Sequence, residues 1–155
     1  MGNKQKGFSL IELLIVVAII LIIAAIAIPN LLRSKMAANE ASAVGSLRTI
    51  NTAAVAYSTT FGNYAPALVD LGPNGLAAGA APTSTQADLI DSVLAAGTKS
   101  GYTFTYAAGT GNVSYTLTAA PTAVGSSGQR YFFTDGSGVI RANAAGAATV
   151  TDSPI

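Results

Sequence analysis

The stretch from Leu13 to Ile28 is an unbroken run of apolar side chains, and no other feature constrains the chain as strongly. Carried back to Phe8, the run spans 21 residues and admits only Ser9 and Glu12 as polar members. About 20 apolar residues in a helix cross the roughly 30 Å hydrocarbon layer of a membrane. The segment therefore reads as a membrane-crossing helix, and the rest of the chain must fold beside it rather than around it.

Three readings account for residues 1–29. The first is a secretory signal, with Lys4 and Lys6 as its basic region and Ala25-Ile26-Ala27 resembling a cleavage site. The apolar core is longer than the ~7–15 residues of such signals, and helical periodicity continues past the supposed cut. The second is a plain single-span anchor, with Lys4 and Lys6 held on the cytoplasmic side. It leaves Glu12 unexplained. An acidic side chain inside a membrane helix costs up to about 2.5–3.5 kcal/mol, so such residues have a partner and a task.

The third reading uses every feature. Gly7-Phe8-Ser9-Leu10-Ile11-Glu12-Leu13, after a short basic leader, resembles the processing site of the type IV pilin and type II secretion pseudopilin family, most like a major type IV pilin. The resemblance implies cleavage by a prepilin peptidase between Gly7 and Phe8 and N-methylation of Phe8. It places Glu12 at the family's glutamate and Pro29 at its helix-kinking proline. The likeness is firm over about residues 7–30; beyond them it rests on architecture. Family members often carry Gly near the position of Leu21, and this chain departs from that pattern.

The chemistry of Glu12 also stands on elementary electrostatics. Cutting after Gly7 turns the Phe8 amide into a cationic amine. That amine can pair with the Glu12 carboxylate where the dielectric is low. Breaking such a pair strands a buried charge at about 3–5 kcal/mol, so it can set register. The resemblance implies that the pair joins neighbouring subunits. The apolar helix is at home in lipid and against its own copies.

Beyond Pro29, apolar or small residues recur at Ala37, Ala41, Val44, Leu47, Ile50, Ala54, Tyr57 and Phe61, at steps of three and four. That is the spacing of one helix face. Arg33, Lys35, Asn39, Glu40, Ser46 and Arg48 fall mostly between these positions, and Gly62-Asn63 supplies a stop. The spacing predicts a single bent helix from Phe8 to Phe61, about 80 Å long at 1.5 Å per residue. The expected organisation is a leader over 1–7, an apolar half-helix over 8–29, an amphipathic half-helix over 30–61 and a head over 62–155.

In the head, residues 63–82 read as a long loop, and Thr83-Ser84-Thr85 as the cap of a helix over 86–96 ended by Gly97. Tyr102–Tyr106 and Val113–Thr118 alternate aromatic or aliphatic residues with polar ones about Gly109–Asn112 and predict a hairpin. Tyr131–Phe133 and Val139-Ile140 flank Asp135-Gly136-Ser137-Gly138 and predict a second. The expected fold class is α+β, a long helix against a three- or four-stranded antiparallel sheet. It agrees with the ladle-shaped pilin fold that the resemblance implies.

Composition narrows the chemistry. Cys and His are both absent, which excludes disulfides, thiolate sites and the usual base near neutral pH. Only 10% of residues are charged, against about 25% in ordinary soluble domains, so Ala, Gly, Ser and Thr must form much of the surface. The net charge of +1 carries no footprint for direct nucleic-acid binding. Asp135 is a weak candidate metal ligand; one carboxylate is few for Ca²⁺, and a hairpin turn is the better account. Gly109-Thr110-Gly111 lacks the rest of a nucleotide fingerprint. Asp88 and Asp91, three apart on the expected short helix, read as a solvated face. Asn112-Val113-Ser114 matches a glycosylation sequon that carries little weight in a bacterial context. The 11 aromatics leave a gap of about 70 Å between Phe8 and Tyr57 along the helix, so core packing explains them better than electron transfer.

No catalytic residue and no cofactor are expected. The resemblance implies a homopolymer assembled from the inner membrane into a surface pilus for adhesion, twitching motility or DNA uptake. It also implies a cytoplasmic N-terminus, a periplasmic head, and a prepilin peptidase/methyltransferase, an assembly platform and a motor as partners. The alternatives are a pseudopilin of a type II secretion system and a membrane-tethered monomeric binding or catalytic domain.

Overall fold

The structure, a computed structural model, describes residues 7–73, 75, 77 and 79–155. The leader lysines Lys4 and Lys6 lie outside the described residues. Helix α1 (Leu10–Phe61) runs for 52 residues, with Pro29 inside it. It starts where Ser9 can serve as cap and Glu12 occupies the third helical position. It stops at Gly62, whose φ of +88° is the left-handed conformation that ends helices at little steric cost. The Gly62 N–H closes the last turn on the Ser58 carbonyl at 2.9 Å.

The chain divides into two compact units, residues up to Lys35 and Met36–Ile155. In the first, no described residue is buried. In the second, the remainder of α1 lies against a five-stranded sheet in the order β1-β2-β3-β4-β5. The strands are β1 (Thr98–Lys99), β2 (Tyr102–Ala108), β3 (Tyr115–Pro121), β4 (Tyr131–Asp135) and β5 (Arg141–Asn143), and every neighbouring pair is antiparallel.

Period-two alternation points Tyr102, Phe104, Tyr115, Leu117, Ala119 and Phe132 inward, where they meet Ala43, Leu47, Ile50, Ala54 and Tyr57 of α1 in one core. The register sets Phe104 opposite Ala119 and Ala119 opposite Phe132, so a small residue separates two large rings. Tyr102 and Phe132 contact each other with centroids 5.8 Å apart. Gly128 lies against the Tyr102 ring and hydroxyl, a place where any Cβ would collide. The α+β pilin fold expected from sequence is the fold observed.

Several local expectations need correction. The sheet has five strands rather than three or four, because the two-residue β1 adds an edge to the expected ones. Ser100 and Gly101 have φ of +50° and +73°, a two-residue turn that folds β1 onto β2. The C-terminal residues extend the far edge, with Arg141 bridged to Pro154 and the Ile155 N–H bonded to the Ile140 carbonyl at 3.0 Å. The last hairpin strand starts at Arg141, beyond the expected Val139-Ile140.

The helix expected over 86–96 is only α2 (Ser92–Ala95). Ala87, Asp88, Leu89 and Ile90 instead donate backbone hydrogen bonds to Asp70, Leu71 and Gly72, so this stretch is held out of the helix by the loop it crosses. Asp88 adopts a left-handed φ of +51° ahead of the helix, and Asp91 is its N-cap, accepting from the Leu94 N–H at 2.9 Å. The two aspartates therefore do not share a helix face. The 63–82 loop is not featureless: Leu68–Leu71 form a 3-10 turn that buries Leu68 and Leu71.

The core-facing stripe of α1 also departs from the expected one at its ends. Leu47, Ile50, Ala54 and Tyr57 are buried, but Ala37 and Ala41 are exposed and Phe61 retains 36% of its surface. Glu40, Ser46 and Asn51 are buried in their stead. Alanine fits either environment, so its spacing could not say where the covered face begins.

Candidate functional site

The N-terminal segment is built around the first turn of α1. The Ser9 N–H donates to Glu12 Oε2 at 2.9 Å, and the Glu12 and Leu13 N–H groups close on the Ser9 carbonyl at 3.1 and 3.3 Å. This is the return half of a capping box, in which the residue-three carboxylate satisfies an orphan donor at the helix start. The placement also suits the positive end of the helix dipole. The Glu12 carboxylate is thus bonded to the residue next to Phe8, which is 81% exposed, and Gly7 has open space around it.

From Leu10 to Leu32 every large apolar side chain is exposed. Among the described residues this is one helix long and apolar enough to cross a membrane, and its most apolar window buries nothing within the chain. Pro29 lies inside the helix and offers no N–H to the Ala25 carbonyl. An apolar surface of this extent needs lipid or other protein to cover it.

The head is joined to its helix by polar anchors that sequence patterning did not reveal. Glu40 accepts from the Gln129 N–H at 2.9 Å and from Arg130 Nε at 2.7 Å. Burial pushes its carboxyl up, but the hydrogen bonds from Gln129 and Arg130 outweigh that and hold it below the ordinary value. Further along, Asn51 donates to Thr134 Oγ1 and accepts from the Tyr115 hydroxyl, each at 3.0 Å. Thr134 is fully buried, so this small network carries α1 polar groups into the sheet without leaving them unpaired. Burial, aided by Tyr64 and Asp135, pushes the Tyr115 phenol up to about 12. A lone Glu or Asn on an apolar helix face was the only signal available for these contacts.

Asp135 is used by its hairpin. Its Oδ1 accepts from the Ser137 N–H at 2.9 Å, and the Gly138 N–H closes the turn on its carbonyl. Hydrogen bonds from Ser137 hold its carboxyl below the ordinary range. Among the described residues no group of three or more His, Cys, Asp or Glu is placed to hold a metal ion. Within the head Tyr106 stacks on Tyr115 with centroids 5.4 Å apart, and Tyr64 meets Tyr115 edge-on at 4.8 Å.

The profile of the prokaryotic N-terminal methylation motif matches residues 2–28. The chain is 60% identical over 38 residues to the type IV wide pilus major component PilA4 of Thermus thermophilus, covering 24% of this chain and 29% of that protein. It is 48% identical over 50 residues to the type IV major pilin protein PilA of Myxococcus xanthus, covering 32% of this chain and 23% of that protein. The chain thus spans about a quarter of the length of the curated relatives it matches. No solved structure gives a significant match.

The methylation motif thus coincides with the start of the exposed apolar part of α1. Over its N-terminal region the chain is similar to type IV pilins, and both of these curated relatives are major pilins.

Proposed function

We propose that this chain is the structural subunit of a type IV pilus, held in the inner membrane by α1 and then polymerised through it. The observation that carries this reading is the exposure of every large apolar residue from Leu10 to Leu32 on a helix whose other end anchors a folded head. Such a helix exchanges lipid for copies of itself with little change in solvation.

In this reading a prepilin peptidase cuts between Gly7 and Phe8, and Phe8 is N-methylated. The released amine draws the Glu12 carboxylate from its bond with Ser9 into a pair with a neighbouring subunit. Pro29 kinks the helix. The N-terminus starts in the cytoplasm and the head in the periplasm, and an assembly platform and motor extract the subunit. The fibre serves adhesion, motility or DNA uptake.

Mass spectrometry of the mature chain is the first test: it should begin at methyl-Phe8. A chain that kept Met1 through Gly7 would overturn the reading and favour a tethered monomer. Long surface filaments containing this chain distinguish a pilin from a pseudopilin. Glu12→Ala should abolish or sharply reduce filaments while leaving processed subunit in the membrane.

A further inference from the structure

Two adjoining hollows run along the flank of α1 in the head, of about 340 Å³ and about 260 Å³, and they share Leu89. Together they make a groove from Arg48 to Phe61, about 20 Å at 1.5 Å per residue. One wall is the small-residue side of α1, including Ala53 and Ala56, where a backbone can approach closely. The other is formed by Pro82, Ala87 and Leu89, and Leu89 keeps 40% of its surface exposed.

Charge bookkeeping suggests the occupant. Among the described residues Asp91 pairs with Lys99 and Glu40 with Arg130. Asp70 caps the Ala67 N–H, Asp135 caps its turn, and Asp152 accepts from Thr149 and Asn143. Asp88, exposed beside Leu89, forms no ion pair among the described residues. The exposed cations Arg33 and Lys35 likewise have no acidic partner among them. They follow directly on Leu31 and Leu32, which are exposed and share the helix face of Lys35 at spacings of four and three.

We propose that this groove is the seat of the Leu31–Lys35 turn of a second copy of the chain, with the leucines against Leu89 and Phe61 and Lys35 beside Asp88. The proposal rests on the filament reading above. Arg48 at the opposite end repels the basic turn there, so the occupant runs parallel to the host helix. Setting Arg33 of one copy level with Tyr57 of the other displaces the two by about 36 Å along the helix.

The absence of cysteine makes the test clean. Filaments of the full chain carrying Leu32→Cys and Leu89→Cys together should give a ladder of disulfide-linked multimers on mild oxidation, and neither single variant should. Asp88→Lys should lower filament yield severalfold, and Lys35→Asp in the same chain should restore it. Filaments of the double-cysteine variant without a ladder, or charge variants without effect or rescue, would overturn the seat. Cross-linking to a different envelope protein would overturn it as well. If the unmodified chain forms no filaments, both this seat and the filament reading fail; if it does form them, only the seat is at stake.

Discussion

The two ends of one helix are built on opposite terms. From Leu13 to Ile28 α1 is apolar on all sides and is covered by none of the described residues, whereas from Glu40 to Tyr57 it hides one stripe beneath a sheet. The uncovered part needs no particular side-chain shape within the monomer, only greasiness. The covered part needs shape, register and hydrogen-bond partners. Stability of the head should therefore respond to substitution in the second part and ignore the first.

The sharpest way to break this comparison is a large deletion on each side. Phe132→Ala should cost the head about 3–5 kcal/mol, because a fully buried ring leaves a cavity. Urea unfolding of the full chain in detergent, followed by tyrosine fluorescence, reads the loss. Ile22→Ala, at a residue 62% exposed, should leave the same transition unmoved. Equal effects would mean that the two parts are not independent.

Next is the anchor between helix and head. Glu40→Ala should cost about 2–3 kcal/mol, since charged hydrogen bonds are lost and backbone donors are stranded. The Glu40 carboxyl titrates below its ordinary value of 4.5 in the folded head. Its contribution is therefore fully present above that value and is lost as pH falls through the lower folded value. Acid unfolding curves of the parent should show that loss below about pH 4.5, and Glu40→Gln should flatten it.

Smaller effects sharpen the picture. Gly128→Ala should cost about 1–3 kcal/mol by displacing the Tyr102 ring, visible as a change in near-ultraviolet circular dichroism. Asp91→Ala should cost about 1 kcal/mol as a lost cap of α2, and the exposed pair with Lys99 should add little to that. A thermal melt of the full chain measures it.

The legible parts share a cause. Residue periods and special turn residues act locally, so the apolar helix, the stop at Gly62, the β2–β3 connection and the Asp135 turn were all readable. Strands β2 to β5 lie within a few residues of the expected ones for the same reason. The failures arose where distant chain segments compete for the same groups. Asp88 and Leu89 looked helical until the 70–72 loop offered their N–H groups other acceptors. Ser100-Gly101 is the one local signal for β1, whose two residues are too few to show an alternating pattern.

By itself, then, the sequence determined the material of this protein: a membrane-length rod with one acid near its start, and a nearly uncharged head of alternating strands. Only the tertiary structure decided which face of the rear helix is covered and that Glu40 and Asn51 belong to the inside. The reason is physical. Burying a polar group is tolerated only when a partner waits for it. Here the partners, Gln129, Arg130, Tyr115 and Thr134, come from chain more than 60 residues away.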